Sequence, residues 1–206
     1  MADLLDYALT NLNDVKETLG ISSGDTSKDN LIKRKINQAT EMIEKYCNGR
    51  RFKNTTYTNE EYDATNSNQL ILRQYPITST ETLALQRRDS SQNEDSWDTV
   101  DTEHYFVDEG AGVVDGNFSL SGRWNRYRVT YSAGFATIPS DISEAAVTLA
   151  AYLVDHAQSG SGVAMKKEGQ REIRYHKPQE SKSLFEDLGL DDILAPYTYT
   201  RLIDNV

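Results

Sequence analysis

A one-sided apolar stripe between residues 29 and 47 is the feature that most constrains the fold. Its hydrophobic side chains recur at spacings of three and four, the repeat of one helix face, and charged residues fill most positions between them. Asp29 is the expected N-cap, because its short carboxylate can accept from the unpaired amides of the first turn. Asn48-Gly49 is the expected end, since both residues tolerate the left-handed conformation. A helix of this kind needs an apolar surface to pack on. The stripe consists of Leu31, Ile32, Ile36, Ala39, Ile43, Tyr46 and Cys47.

A second apolar stripe follows Ile138-Pro139, in a segment rich in alanine. Asp141 and Glu144 at its start have the spacing of a capping box. Because alanine lets another backbone approach closely, we expect this helix to pack against the first one. A shorter helix, capped by Thr10 or Asn11, is expected near the N-terminus. The second stripe consists of Ile142, Ala145, Ala146, Leu149, Ala150 and Leu153.

Between the two long helices the pattern changes to short extended runs. Residues 127–131 alternate apolar and polar side chains, which is typical of a strand with one buried face. Residues 80–86 alternate in the same way, and Pro76 and several glycine turns separate the runs. Several short strands at this spacing predict a small antiparallel sheet or barrel.

These patterns together predict an α+β fold. We expect a small helical bundle (two long amphipathic helices plus shorter ones), an inserted antiparallel β region at about 51–131, and an extended C-terminal segment. Residues 1–157 are expected to form the core, and residues 158–206 a Gly/Ser-containing linker and a docking segment. Ser183 is the expected cap of a short helix in that segment. The segment is too short to hold a core of its own, so it either folds back on the domain or docks on a neighbouring molecule.

Composition and charge exclude several classes of protein. The formal net charge of -10 argues against tight wrapping of nucleic acid, which needs clustered Lys and Arg. Hydrophobic residues make up 37% of the chain, which predicts a modest core. The single cysteine, Cys47, is expected to be a buried small hydrophobe. No apolar run has the length of a membrane span and no signal peptide is visible, so we expect assembly in a cytoplasm-like compartment.

The sequence offers little that could support catalysis. His104, His156 and His176 lack the spacings that bring histidines onto one metal. Phosphate-binding glycine loops and the Gly-x-Ser-x-Gly elbow are also missing from the sequence. Four carboxylates could hold Ca²⁺, but they lack the spacing of a calcium loop and are better interpreted as a solvated hairpin tip. We therefore expect no enzyme activity, cofactor or metal. The four carboxylates are Asp89, Glu94, Asp95 and Asp98.

Arginine pairs are the most distinctive basic feature, and two interpretations of them remain open. The first is ion pairing with surface carboxylates, which contributes little per pair. The second is contact between subunits, since Arg suits charged interfaces. The 12 tyrosines weakly favour an interface, because Tyr buries apolar area while its hydroxyl stays wet. The arginines are Arg50-Arg51, Arg87-Arg88 and the group Arg123, Arg126 and Arg128.

Several short motifs follow one another along the chain and end in the Ala-rich helix. They are Leu12-x-x-Val15-Lys16-x-x-Leu19-Gly20, Ile43-Glu44-x-Tyr46-Cys47-x-x-Arg50-Arg51-Phe52, Glu61-Tyr62-Asp63, Leu70-x-Leu72-x-x-Tyr75-Pro76-Ile77, and Val129-Thr130-Tyr131-x-Ala133-Gly134-Phe135 with Ile138-Pro139-x-Asp141-Ile142. In this order they resemble the head-tail connector (adaptor) proteins of tailed bacteriophages and prophages. The resemblance covers about residues 10–157 and is specific as an ordered set.

The resemblance implies a structural virion protein that has no catalytic residues. It implies a ring of identical subunits, expected to be a dodecamer, under the portal at the capsid vertex. Such a ring binds the portal protein above and a stopper or tail-completion protein below, and DNA passes through its lumen without sequence-specific binding. The expected location is the neck of the virion, after assembly in the host cytoplasm.

Three sets of residues are expected to make these contacts. The C-terminal segment is expected to dock on the portal, the polar hairpin to contact the tail side, and arginines beside the strands to contact neighbouring subunits. The portal set is Leu184, Phe185, Leu188, Leu190, Ile193, Leu194, Pro196, Tyr197, Tyr199 and Leu202; the tail-side set is Arg87, Arg88, Asp89, Glu94 and Asp95; the inter-subunit set is Arg50, Arg51, Arg123 and Arg126.

Two alternatives belong to other classes. Another head- or tail-completion protein, such as a stopper or terminator, would be mainly a β-barrel, and the two long amphipathic helices argue against it. A small-ligand or enzyme domain would use the β region as a cup. That alternative predicts a concave pocket with convergent polar groups and shifted titrations.

Overall fold

The described residues of the chain form two compact units. Residues 2–49 and 138–198 belong to a unit built mainly of helices, which we call the helical unit. Residues 50–137 belong to a strand-rich unit, which we call the β unit. None of the helices in the described ranges is both long and apolar enough to cross a membrane. The computed structural model describes residues 2–63, 67–88, 96–120, 127–159, 165–168, 171–174 and 183–198.

Two long helices form the core of the helical unit. Helix α2, Asp29–Tyr46, packs against α3, Ser140–Ser159, and α1, Leu12–Thr18, packs on both. The facing stripes are buried, so the predicted pairing of the two long helices is confirmed. Cys47 is buried at the end of α2, as expected for a small hydrophobe. Fully buried stripe residues are Ile32, Ile36, Ala39 and Ile43 of α2 and Ile142, Leu149 and Ala150 of α3.

Two predicted helix ends are confirmed. Asn11 caps α1, since its side-chain oxygen accepts from the amides of Asn13 and Asp14 at 2.9 and 3.1 Å. Asn48 and Gly49 end α2 with φ angles of 59° and 77°, which is the left-handed region that these residue types tolerate.

The predicted cap at Asp29 is wrong. Asp29 is the first residue of α2, and its carboxylate lies 2.5 Å from Nζ of the buried Lys16 on α1. That Nζ also donates to the backbone oxygens of Ser23 and Asp25 at 3.3 and 2.8 Å. Lys16 thus links the loop before α2 to α1. The carboxylate of Asp29, which the sequence pattern assigned to capping, forms this ion pair instead.

The C-terminal segment folds back on the helical unit over residues 183–198. Helix α4, Leu184–Asp187, is capped by Ser183, as predicted, and α5, Leu190–Thr198, packs against α3 and α4. The expectation of an extended segment is therefore wrong for these residues, because their apolar side chains pack on helices of their own chain. Of the two alternatives for this segment, the structure shows the fold-back.

Two contacts fasten the fold-back. The ring of Phe185 stacks on Tyr46 of α2 with centroids 4.4 Å apart. The hydroxyl of Tyr197 donates to Oδ2 of Asp141 at 2.8 Å. Asp141 lies inside the first turn of α3, because that helix begins at Ser140, so the predicted capping box is wrong. Its carboxylate instead joins α3 to α5.

The β unit contains two antiparallel sheets. The first has the strand order β1-β7-β3-β4 and the second the order β2-β6-β5. A separate two-stranded hairpin, β8 and β9, follows α3 in the chain. The strands are β1 Thr55–Tyr62, β2 Ser67–Ile71, β3 Ala84–Arg88, β4 Trp97–Thr99, β5 Tyr105–Asp108, β6 Val113–Leu120, β7 Tyr127–Ala133, β8 Met165–Glu168 and β9 Arg171–Arg174.

The two sheets of the β unit share one hydrophobic core. Residues 127–133 alternate buried and half-buried, so the predicted one-sided strand is confirmed. The predicted strand at 80–86 is wrong in its first half, because Thr80–Thr82 form a 3-10 turn capped by the Ser79 hydroxyl. The first sheet contributes Tyr62, Leu85, Tyr127, Val129, Tyr131 and Ala133 to the core, and the second contributes Leu70 and Val114.

Candidate assembly surfaces

A carboxylate with three hydrogen-bonding partners links the two sheets of the β unit. Oε2 of Glu60 accepts from the hydroxyl of Tyr131 at 2.6 Å and from that of Tyr62, and Oε1 lies 3.0 Å from Nη1 of Arg73. The two hydroxyls are 3.0 Å apart, and that of Tyr62 accepts from the amide of Arg73 at 3.1 Å. Because Arg73 follows β2 and the others lie on β1 and β7, this polar cluster joins one sheet to the other.

The pKa of Glu60 and the pKa values of Tyr62 and Tyr131 are shifted in opposite directions. Burial acts to raise the pKa of Glu60, but hydrogen bonds from Tyr131, Tyr62 and Arg73 outweigh it and lower that pKa below 4.5. Burial, reinforced by the bond to Glu60, raises the pKa of both tyrosines above 10.0. Each hydroxyl donates its one proton to the carboxylate, so this geometry stabilises the β unit.

Arg50 is enclosed by aromatic rings of its own unit. Its guanidinium carbon lies 3.9 Å from the ring centroid of Tyr75, with Phe52 and Phe135 at 5.5 and 5.6 Å. Its Nε donates to the backbone oxygen of Tyr75 at 3.2 Å, and the residue is only 7% exposed. These contacts hold the guanidinium within its own unit. The predicted inter-subunit role of Arg50 stays a prediction.

The inter-subunit roles expected of the other three arginines also stay predictions. Arg51 is half-buried, and its amide donates to Oε1 of Gln74 at 2.8 Å. Arg123 and Arg126 lie outside the described residues.

The predicted tail-side set divides at the end of β3. Arg87 is exposed there, whereas the guanidinium carbon of Arg88 lies 4.8 Å above the ring of Trp97 on β4. Asp89, Glu94 and Asp95 lie outside the described residues. Of this set, Arg87 is therefore the described residue whose side chain is exposed.

The predicted portal set divides into a buried and an outer half. Ile193, beside Leu190 on the surface of α5, is 36% exposed, and Pro196 is exposed. Phe185, Leu190 and Leu194 are buried within the helical unit, and the docking role predicted for them stays a prediction. Half-buried members are Leu184, Leu188 and Tyr197, and Tyr199 and Leu202 lie outside the described residues.

The sequence patterns did not predict two outer faces of the β unit. Phe106 on β5 is 72% exposed and Ile71 on β2 is 42% exposed. On the other sheet, the guanidinium carbons of Arg88 and Arg128 lie 4.8 and 4.5 Å from the ring of Trp97. The strand at 105–107 is predictable from the sequence, but which of its side chains face outward depends on pairing with β6.

One concavity of the described residues lies in the helical unit. A concavity of about 570 Å³ at the start of α3 is lined mainly by carboxylates and hydroxyls, including Asp14, Glu17 and Glu144. Among the described residues, no group of three or more His, Cys, Asp or Glu side chains could hold a metal ion. These surfaces are suited to contact with other macromolecules.

Comparison with known proteins adds a family and a fold. The family model of the head completion protein matches residues 8–176. A chain in a solved structure described as the neck of an empty GTA particle computed with C6 symmetry is similar to this one, with a TM-score of 0.55 and 15% identity. The similarity covers 98% of this chain and 95% of that chain, and it shows a shared fold. No curated protein matches the sequence.

Proposed function

Because the chain belongs to the head completion protein family, we propose that its copies form a ring beneath the portal, through which DNA passes. The protein is a structural component of the virion neck, and the family match over residues 8–176 carries the proposal. The pairing of α2 with α3 supports an adaptor over a stopper or terminator, which would be mainly β-barrel.

The similar structure supports a ring. That structure is the neck of an empty GTA particle computed with C6 symmetry. A dodecamer satisfies such an axis with two copies in each sixth of the ring, so we retain twelve copies as the proposed number. The net charge of -10 supports passage of DNA without adhesion, since a lumen poor in Lys and Arg displaces few counterions.

The outer side of α5 is the proposed portal contact. Ile193 and Pro196 lie three positions apart on α5, so they are neighbours on its surface, and both are exposed. The half-buried Tyr197 follows Pro196. An exposed apolar pair on a short helix suits a groove in a partner. The polar segment Arg87–Ser96, predicted from the sequence to be a hairpin, is the proposed contact with the stopper or tail-completion protein.

Substitution of Ile193 tests the portal contact. Truncation of residues 184–206 is unsuitable, because it would also remove the buried Phe185, Leu190 and Leu194. We expect Ile193→Asp to weaken binding to the portal protein at least about 30-fold, the effect of losing a central apolar anchor. Asp192→Asn, at the exposed neighbouring position, is the matched control and should bind as the wild type does. Equal binding by Ile193→Asp and wild type in a titration would place the portal contact elsewhere.

Particle mass tests the ring itself. The purified chain, alone and mixed with portal protein, is measured by mass photometry. A species carrying twelve copies is expected in at least one of the two samples. Only single copies in both samples would contradict the proposal.

A further inference from the structure

The two sheets of the β unit present outer faces of different chemistry. Directly opposed residues of antiparallel strands lie on the same face, so each pairing register shows which side chains are outside. Because both sheets turn their other face to one shared core, their outer faces point to opposite sides of the unit.

The outer face of the second sheet is apolar with an acidic surround. Phe106 on β5 lies opposite Asp115 on β6, and Asp115 lies opposite Gln69 on β2. The Gln69 side chain donates to Asp115 at 3.3 Å, which confirms that they share this face. The exposed Ile71 and Asp108 complete it. We call it the Phe106 face.

The outer face of the first sheet is cationic and aromatic. Trp97 lies opposite Arg88, and its ring contacts the guanidinium groups of Arg88 and Arg128. Arg128 also donates to Oε1 of Gln86 at 2.5 Å. Oε2 of Glu61 lies 3.9 Å from Nη2 of Arg88, which is a long distance for an ion pair. Glu61 therefore neutralises the positive charge of this face only in part. We call it the Trp97 face.

We propose that the Phe106 face of one copy docks on the Trp97 face of the next copy around the ring. This inference rests on the proposed function. A ring built head to tail needs two different, mutually complementary patches on every subunit. The carboxylates of Asp108 and Asp115 then meet Arg88 and Arg128, and the exposed ring of Phe106 is buried beside Trp97.

Charge argues against a two-fold contact through the same surface. If two Phe106 faces met each other, Asp108 and Asp115 of one copy would oppose those of the other, and like charges across an interface are costly. Two Trp97 faces would likewise oppose their arginines. The pairing of unlike faces avoids both repulsions.

Size indicates how much of the subunit interface this contact supplies. Three strands about 4.8 Å apart and four residues long at about 3.4 Å each cover roughly 200 Å². A standard interface buries about 800 Å² on each partner. The contact is therefore an anchor at which single substitutions have large effects, with the remaining area supplied by other surfaces of the subunit.

Mixing two face-specific variants tests the proposal. Phe106→Ala removes the apolar anchor of one face without adding a carboxylate that Arg88 and Arg128 would attract, and Arg88→Glu disables the other face. Thr99→Glu, at an exposed position of β4 opposite Gln86, provides a second variant of the Trp97 face should Arg88→Glu not fold. Lys45→Glu, exposed on α2, is the matched charge-reversal control. Folding of each is checked by circular dichroism, and assembly by native mass spectrometry with and without portal protein.

Each face variant alone should associate at least about 30-fold more weakly than the wild type, while Lys45→Glu forms rings normally. An equal mixture of the two face variants should stop at pairs, because each pair uses the one intact combination of faces. Ring formation by Phe106→Ala as strong as that of the wild type overturns this inference and leaves the proposed function standing. Absence of rings for the wild type in both conditions overturns both.

Discussion

The helical unit and the β unit achieve stability by different means. In the helical unit, the fully buried apolar stripes of α2 and α3 meet, and the buried Lys16 pairs with Asp29 between α1 and α2. In the β unit, a hydroxyl and carboxylate cluster centred on Glu60 and an arginine enclosed by rings accompany the apolar core. The first unit depends chiefly on the packing of two apolar stripes, and the second depends to a greater extent on satisfied polar partners.

This difference shows where the chain can carry outward chemistry. The described helices use their strongest apolar faces on each other, which leaves mainly the outer side of α5 for a partner. A small two-layer β unit has two outer faces, and here one is apolar and acidic while the other is cationic and aromatic. The contact that we propose between neighbouring copies therefore uses the two outer faces of the β unit.

The largest expected effect on the free energy of unfolding comes from the packing of α2 on α3. Ile43→Ala removes a fully buried side chain of α2 and leaves a cavity, so the free energy of unfolding should fall by about 2–5 kcal/mol. Lys45→Ala, exposed two residues away, should change it by less than about 0.5 kcal/mol. Urea titration followed by circular dichroism measures both. A loss below about 1 kcal/mol for Ile43→Ala would show that packing of this stripe is not what holds the unit.

A smaller effect on the free energy of unfolding is expected at the polar cluster around Glu60. Glu60→Gln keeps the shape of the side chain but removes the charge that accepts from Tyr131, Tyr62 and Arg73. We expect a loss of about 1–3 kcal/mol, because partners in a buried cluster are left poorly satisfied. Glu61→Gln is the matched control on the outer face of the same strand. The same loss in both variants would show that the cluster contributes no more than a surface charge.

The pH dependence sharpens this prediction. The pKa of Glu60 is lowered in the folded state, so its contribution is fully present above 4.5 and is lost as the pH falls below that value through the folded pKa. The difference in unfolding free energy between wild type and Glu60→Gln should therefore shrink between pH 7 and pH 3. Urea titrations across that range check it, and a difference independent of pH would contradict the role of the charge.

The smallest effect is expected at the cap of α1. Asn11→Ala leaves the amides of Asn13 and Asp14 without their side-chain acceptor and should cost about 1 kcal/mol. Asn13→Ala, exposed in the first turn, is the control and should be near neutral. Thermal unfolding of both variants measures the difference, and equal melting temperatures would mean that water replaces the cap.

Local patterns account for what could be predicted from the sequence. The stripes of α2 and α3, the caps at Asn11 and Ser183, and the strand at 127–131 depend on residues close together in the chain. The fold class follows from these elements, as does the family resemblance.

What could not be predicted depends on pairing between distant residues. Lys16 takes the carboxylate of Asp29, and a bulge between Tyr57 and Glu60 in β1 sets the register in which Glu60 meets Tyr131. Arg50 is enclosed by rings brought from three parts of the β unit. The outward direction of Phe106 likewise requires the register of β5 on β6, which no single segment contains.

An image of the assembled neck tests the central claim most directly. Electron cryomicroscopy of the intact particle should show a closed ring of this α+β fold between the portal and the tail, with the Phe106 face of each copy against the Trp97 face of the next. A neck in which density for this chain is absent from that position, or present only as isolated single copies, would contradict the account.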